Sequence, residues 1–177
     1  VDACKIIAKS GQSVKLIIAG FGAESYVDCI SHSESNLTVE GFGDLSDIQL
    51  LEVMSSVDVA VQLRHKNYGE SSGVVAQLFA LRKNVIVSDI GAFSEYAPAA
   101  MLVPANIKVE DLAERILSLR NDRSRVKAME EYSSNRSPER FRCALLEALS
   151  AFSSSGRGEA LNEPRVDSGL DHSQTHK

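Results

Sequence analysis

The sequence predicts an α/β domain built on a doubly wound parallel sheet, followed by C-terminal helices. Three observations predict it. Apolar runs the length of a strand alternate with helix-period segments from the start to about residue 120. The runs are nearly continuous, as in strands covered by helices on both faces. Repeated strand–helix–strand order of this kind folds through right-handed crossovers into a parallel sheet.

The elements follow in order. Val1 to Ser10 carries Ala3, Ile6, Ile7 and Ala8 at roughly helical spacing, with Gly11 as C-cap, so the chain opens as if inside an element. Val14 to Ala19 is the first strand and ends in Gly20-Phe21-Gly22. Glu24 to Ser33 reads as a short helix, and Leu37 to Gly41 as a second strand. Ser46 or Asp44 can cap a helix whose apolar positions Ile48, Leu51, Val53 and Met54 form one face. Val59 to Leu63 is a third strand, and the loop from Arg64 to Glu70 leads to a helix from Ser71 to Leu81. Asn84 to Ser88 and Met101 to Val103 complete the strands. Helices are expected at Val109 to Leu119, Arg123 to Ser133 and Pro138 to Phe152, the last capped by Ser137. From Ser153 the composition turns to Ser, Gly, Asn, Asp and His without a period, which reads as a disordered tail. The expected division is therefore a domain over 1–152 and a tail over 153–177.

Composition excludes several functions. Hydrophobic residues are 44% and charged residues 24% of the 177, as in a globular domain with a core. The net charge is −5 and the basic residues are scattered, so a nucleic-acid-binding role has little support. No apolar run reaches the length of a bilayer span, and no signal segment opens the chain. Cys4, Cys29 and Cys143 are far apart and not in metal-ligand spacing, so they are read as reduced thiols of a cytoplasmic protein.

Ligands of an open parallel sheet bind beyond the carboxyl ends of its strands. Three loops qualify: Gly20-Phe21-Gly22, Arg64 to Gly73, and Asp89-Ile90-Gly91 with Glu95. In the second, Gly69 and Gly73 let backbone approach a ligand, and Ser71 and Ser72 can cap the next helix and present amide protons to an anion. A diphosphate fits there. Glu70 beside it suits sugar hydroxyls, which a carboxylate accepts strongly. A capping cluster without a ligand is the plain alternative for Glu70 and the serines. Arg64 could steer a phosphate or form a structural ion pair. Gly20-Phe21-Gly22 lacks the third glycine of a dinucleotide fingerprint, the P-loop and nucleophile-elbow patterns are absent, and His32, His65, His172 and His176 lie near no candidate nucleophile in sequence.

Together these residues resemble a known family. From Lys15 to about Leu119 the chain is similar to the C-terminal domain of family 4 glycosyltransferases of the GT-B fold, a Rossmann-like domain. The series runs through Lys15-Leu16-Ile17-Ile18-Ala19-Gly20, Val39-Glu40-Gly41-Phe42, Val57-Asp58-Val59-Ala60-Val61, Gly69-Glu70-Ser71-Ser72-Gly73, Ala80 to Asp89, Gly91 with Glu95, and Leu102-Val103-Pro104. Order and spacing carry the match rather than any single motif.

The resemblance implies binding of a nucleoside-diphosphate sugar donor and retaining glycosyl transfer to a saccharide or lipid-linked acceptor, in polysaccharide or lipopolysaccharide synthesis. It implies no cofactor and no metal. Glu70 carries over as the sugar-contacting, catalytic-site glutamate, one position beyond the family's first. Gln77 stands where the family has a second glutamate on the ribose, and Ser72 is a further binding candidate. Arg82 and Asn84 replace the family's usual Gly and Pro, a change that bears on a turn. The family's domain begins with a strand, a glycine loop and two cations ahead of the helix with which this chain opens, and its acceptor contacts come from an N-terminal half. The chain therefore reads as truncated, of weak or no activity alone, with a separate N-terminal half as a possible partner. The competing reading is an inactive Rossmann-like binding or interaction module.

Overall fold

A computed structural model describes residues 1–30, 33–66, 69–137, 139–140 and 142–147. The chain divides into two compact units, Val1–Arg136 and Ser137–Lys177. In the second, residues 139–140 and 142–147 are helical, and the Ser137 hydroxyl accepts the Arg140 amide proton at 3.3 Å, as expected of the cap. The expected limit at residue 152, the tail, and His32, His172 and His176 lie outside the described residues.

The first unit alternates helix and strand: α1 (Asp2–Lys9), β1 (Val14–Ala19), α2 (Ala23–Asp28), β2 (Leu37–Phe42), α3 (Asp47–Ser56), β3 (Val59–Gln62), α4 (Gly73–Ala80) and β4 (Asn84–Ser88). A 3-10 turn at Gly91–Tyr96 precedes β5 (Met101–Val103), α5 (Val109–Leu119) and α6 (Val126–Asn135). The α3 start carries a capping box, with Ser46 Oγ accepting from the Gln49 amide and Gln49 Oε1 from the Ser46 amide. Its apolar face differs from the expected one. Met54 is buried and Leu50 packs on the core, whereas Ile48 and Leu51 are exposed. The α4 helix begins two residues later than its serines suggested, because Ser71 and Ser72 form its entry rather than its first turn.

All strand pairs are parallel, β1 with β2, β3 with β4, and β4 with β5. They form two hydrogen-bonded sets, β1-β2 and β3-β4-β5, rather than one ladder. Within each set the neighbours follow in chain order, as in either half of a doubly wound sheet. Among the described residues β1 and β3 are not hydrogen-bonded to each other.

Packing joins the two sets instead. Ala3 and Ile7 of α1 bury against Ala113 of α5, with Leu112 and Ile116 beside them. The same Leu112 and Ile116 pack on Ile86, Val103 and Leu119 of the three-stranded set. Every residue of β4 is buried. By strand alternation Ile86 faces α5, while Val85 and Val87 join Val75, Leu78, Phe79 and Met129 of α4 and α6 on the other side. A glycine is required at one close approach. A Cβ on Gly41 of β2 would stand 2.8 Å from the Ala23 carbonyl oxygen and 2.9 Å from Val27 of α2.

The two departures from the family's usual Gly and Pro acquire physical meaning here. Helix α4 ends in a Schellman motif, with the Arg82 amide donating to Phe79 and the Lys83 amide to Leu78, both at 2.9 Å. Arg82 occupies its left-handed position at φ 55, where glycine is favoured. Asn84 starts β4, and its buried amide donates to the Leu119 carbonyl at 2.7 Å and the Asp122 carbonyl at 2.8 Å, closing the end of α5. We expect Asn84→Ala to cost about 1–3 kcal/mol, because it strands a buried carbonyl, read as a lowered urea midpoint at unchanged slope. Arg82→Gly is expected to raise stability by up to about 1 kcal/mol, the left-handed strain outweighing an exposed ion pair with Glu130; a lower midpoint would contradict it.

Candidate functional site

The site is assembled at the carboxyl ends of β3 and β4. Arg64 follows β3 by two residues, and its backbone amide donates to the buried Ser88 hydroxyl at 2.8 Å. That bond pins the loop to the end of β4. The Arg64 guanidinium then lies 4.9 Å from the centroid of the Phe93 ring and 2.6 Å from Glu70 Oε1. Arg64 is 31% exposed and Glu70 50%, so the pair is a partly solvated one. Such pairs contribute about 0–1 kcal/mol, so a ligand could displace Arg64 from Glu70 at little cost. The cation–π contact, worth about 0.5–1 kcal/mol at such sites, would hold Arg64 near the same place.

The neighbouring helix start is tightly organised. Ser72 is the N-cap of α4, its hydroxyl accepting the Val75 amide at 3.4 Å and donating to Gln62 Oε1 at 2.9 Å. The Ser72 amide donates to the Tyr96 hydroxyl at 2.6 Å. Ser72 was expected to present a free amide to an anion; that proton is spent on Tyr96. Gly73 and Val74 are exposed, and no acceptor within the described residues meets their amides. The helix N-terminus thus keeps two open donors at its positive end.

The structure brings together Arg64, Glu70 and Ser72, with Gly69, Ser71 and Gly73 in the same short segment and Gln77 exposed one turn into α4. Gly91 opens the 3-10 turn that carries Phe93 and Tyr96. Glu95 is tied elsewhere, to Arg136 at 3.5 Å, and that Arg136 stacks on the Tyr132 ring at 3.9 Å. Gly20 and Gly22 belong to the end of β1, with φ 130 and 78, and the loop's hydrogen bonds run to β2 and within itself. Its Phe21 side chain is fully exposed.

Sequence reasoning missed Gln62, Ser88, Phe93 and Tyr96. Gln62 and Ser88 carried a weak signal, as polar residues closing apolar strands. Phe93 and Tyr96 carried none, since a lone aromatic in a loop is as readily core. Arginine 64 and Glu70 were singled out separately; their pairing depends on the path of the loop between them.

With this geometry in place, the comparison with protein families becomes informative. The model of the family described as glycosyl transferases group 1 matches residues 1–136, the whole of the first unit. The chain belongs to the group 1 glycosyl transferases. No curated protein matches it. The parallel α/β architecture is that of a Rossmann-like domain of this family. In this group 1 glycosyl transferase no helix of the described residues is long and apolar enough to cross a membrane.

The N-cap makes a direct prediction. Ser72→Ala removes the helix cap and the Gln62 bond together, and should cost about 1–2 kcal/mol by chemical denaturation. A change below a few tenths would mean that the cap is not formed in solution.

Proposed function

We propose that the chain is the donor-binding domain of a glycosyl transferase that takes a nucleoside-diphosphate sugar. One observation carries the reading: an arginine–carboxylate pair at 2.6 Å stands beside a capped helix start with open amides. Arg64 and the Gly73 and Val74 amides supply positive potential for the diphosphate, and Glu70 accepts from the sugar hydroxyls. Gln77, exposed on α4, suits a ribose hydroxyl as a neutral partner. As the sugar leaves the diphosphate, negative charge grows on the phosphate oxygens, and fixed donors aimed at that place lower the barrier. The reading extends to transfer with retention, onto a saccharide or lipid-linked acceptor in polysaccharide synthesis, the acceptor being held by a separate N-terminal half. Three free cysteines, Cys4, Cys29 and Cys143, suit a reducing, cytoplasmic setting.

The Arg64–Glu70 pair also favours a second reading, in which it is a loop clamp of a non-catalytic module. Calorimetric titration with uridine and guanosine diphosphates, free and sugar-linked, separates the two. A donor site gives saturable binding, tighter for the sugar-linked ligand, and Glu70→Gln should remove about tenfold of the sugar-linked ligand's advantage over the free diphosphate, which itself binds no more weakly because Arg64 is released. Absence of binding at millimolar ligand would sink the donor-site reading.

A further inference from the structure

The hydroxyl of Tyr96 has no part in the chemistry just proposed, yet it sits against the backbone of the site. Tyr96 is 1% exposed, and its ring packs on Phe79 at 5.8 Å, Phe93 at 5.3 Å and Tyr132 at 5.6 Å. Three aromatic neighbours leave the ring little room to move, so the hydroxyl is a fixed point rather than a mobile one. It accepts the amide proton of Ser72, which is itself only 6% exposed. Ser72 in turn is held through its side chain by Gln62 at the end of β3. One residue at the head of α4 is thereby fastened from both sides, by the turn after β4 and by the strand that delivers Arg64.

We propose that Tyr96 is a positioning residue, holding the Gly69–Gly73 loop so that Glu70 and the Gly73 and Val74 amides face one ligand. This deepens the donor-site reading and rests on it for the identity of that ligand. The physical reason is the asymmetry of the Ser72 amide. It is buried, so without Tyr96 it loses its acceptor and gains no water in exchange. The loop then escapes the penalty only by moving, which carries Glu70 and Gly73 with it. Phe93 adds to the same device, since it packs on the Tyr96 ring and lies beneath the Arg64 guanidinium. A shift of the turn would therefore reach Arg64 as well as Ser72. The residue touches no reacting atom.

Tyr96→Phe keeps the ring and deletes the hydroxyl. Two measurements on the full chain test it. In amide-resolved NMR without ligand, the Ser72 amide should exchange with solvent at least tenfold faster in the variant, and the Gly73 and Val74 signals should broaden. Unchanged exchange and line widths would overturn the proposal. In titrations with uridine or guanosine diphosphate, whichever the wild type binds, the variant should bind about three- to tenfold more weakly. Equal affinity, with wild-type binding saturable, would also overturn it. A purely structural role for the hydroxyl would lower the melting temperature without changing affinity at a temperature where both proteins are folded. Should the wild type bind neither diphosphate, the donor-site reading falls; faster Ser72 exchange with broadened loop signals would still establish Tyr96 as the residue that positions the loop.

Discussion

Burial of β4 on both faces is the constraint from which the rest of the unit follows. Val85 and Val87 seat α4 and α6, and Ile86 seats α5. Each buried aliphatic side chain stabilises by about 1.5–3 kcal/mol, so the strand cannot shift register without losing several at once. Its two ends make the polar connections. Asn84 closes α5 at one end, and Ser88 receives the Arg64 amide at the other. The site is therefore suspended from a strand buried along its whole length, as a site that must hold its geometry to fractions of an ångström requires.

Several polar groups around the site hold its loop in place. The Ser72 hydroxyl and amide and the Gln62 carbonyl are consumed in holding the loop. Arg64 and Glu70 are engaged with each other, but in a partly solvated pair whose worth is small beside that of a charged ligand contact. The head of α4 and the start of the loop are thus anchored by backbone bonds, while the charged pair beside them is partly solvated.

The helices and strands were legible where one local rule acted without competition. Ser46 with Gln49 announces a helix start, and α5 falls at Val109–Leu119 as its period predicts. Local rules lost where tertiary packing intervened. Periodicity chose Ile48 and Leu51 of α3 along with Met54 for the core, but only Met54 is buried, and Leu50 packs inward in place of the other two. In α2 the helix stops at Asp28, short of the span its composition allowed. Glycine at 41 read as the end of a strand, whereas the structure uses it to let the backbone of α2 come against β2.

By itself the sequence determined the α/β class, the order of elements and the segment from Arg64 to Gly73 as the place to look, because each rests on local pattern and composition. Its family likeness over the same stretch added glycosyl transfer as the class of reaction. Tertiary structure decided what pattern cannot carry. It showed that the strands form two hydrogen-bonded sheets, that Arg64 meets Glu70, and that Glu95 turns to Arg136. It alone revealed that Tyr96, distant in the chain, takes the Ser72 amide. These are contacts between residues that no periodicity links, and they exist only once the buried strand has fixed where each loop must end.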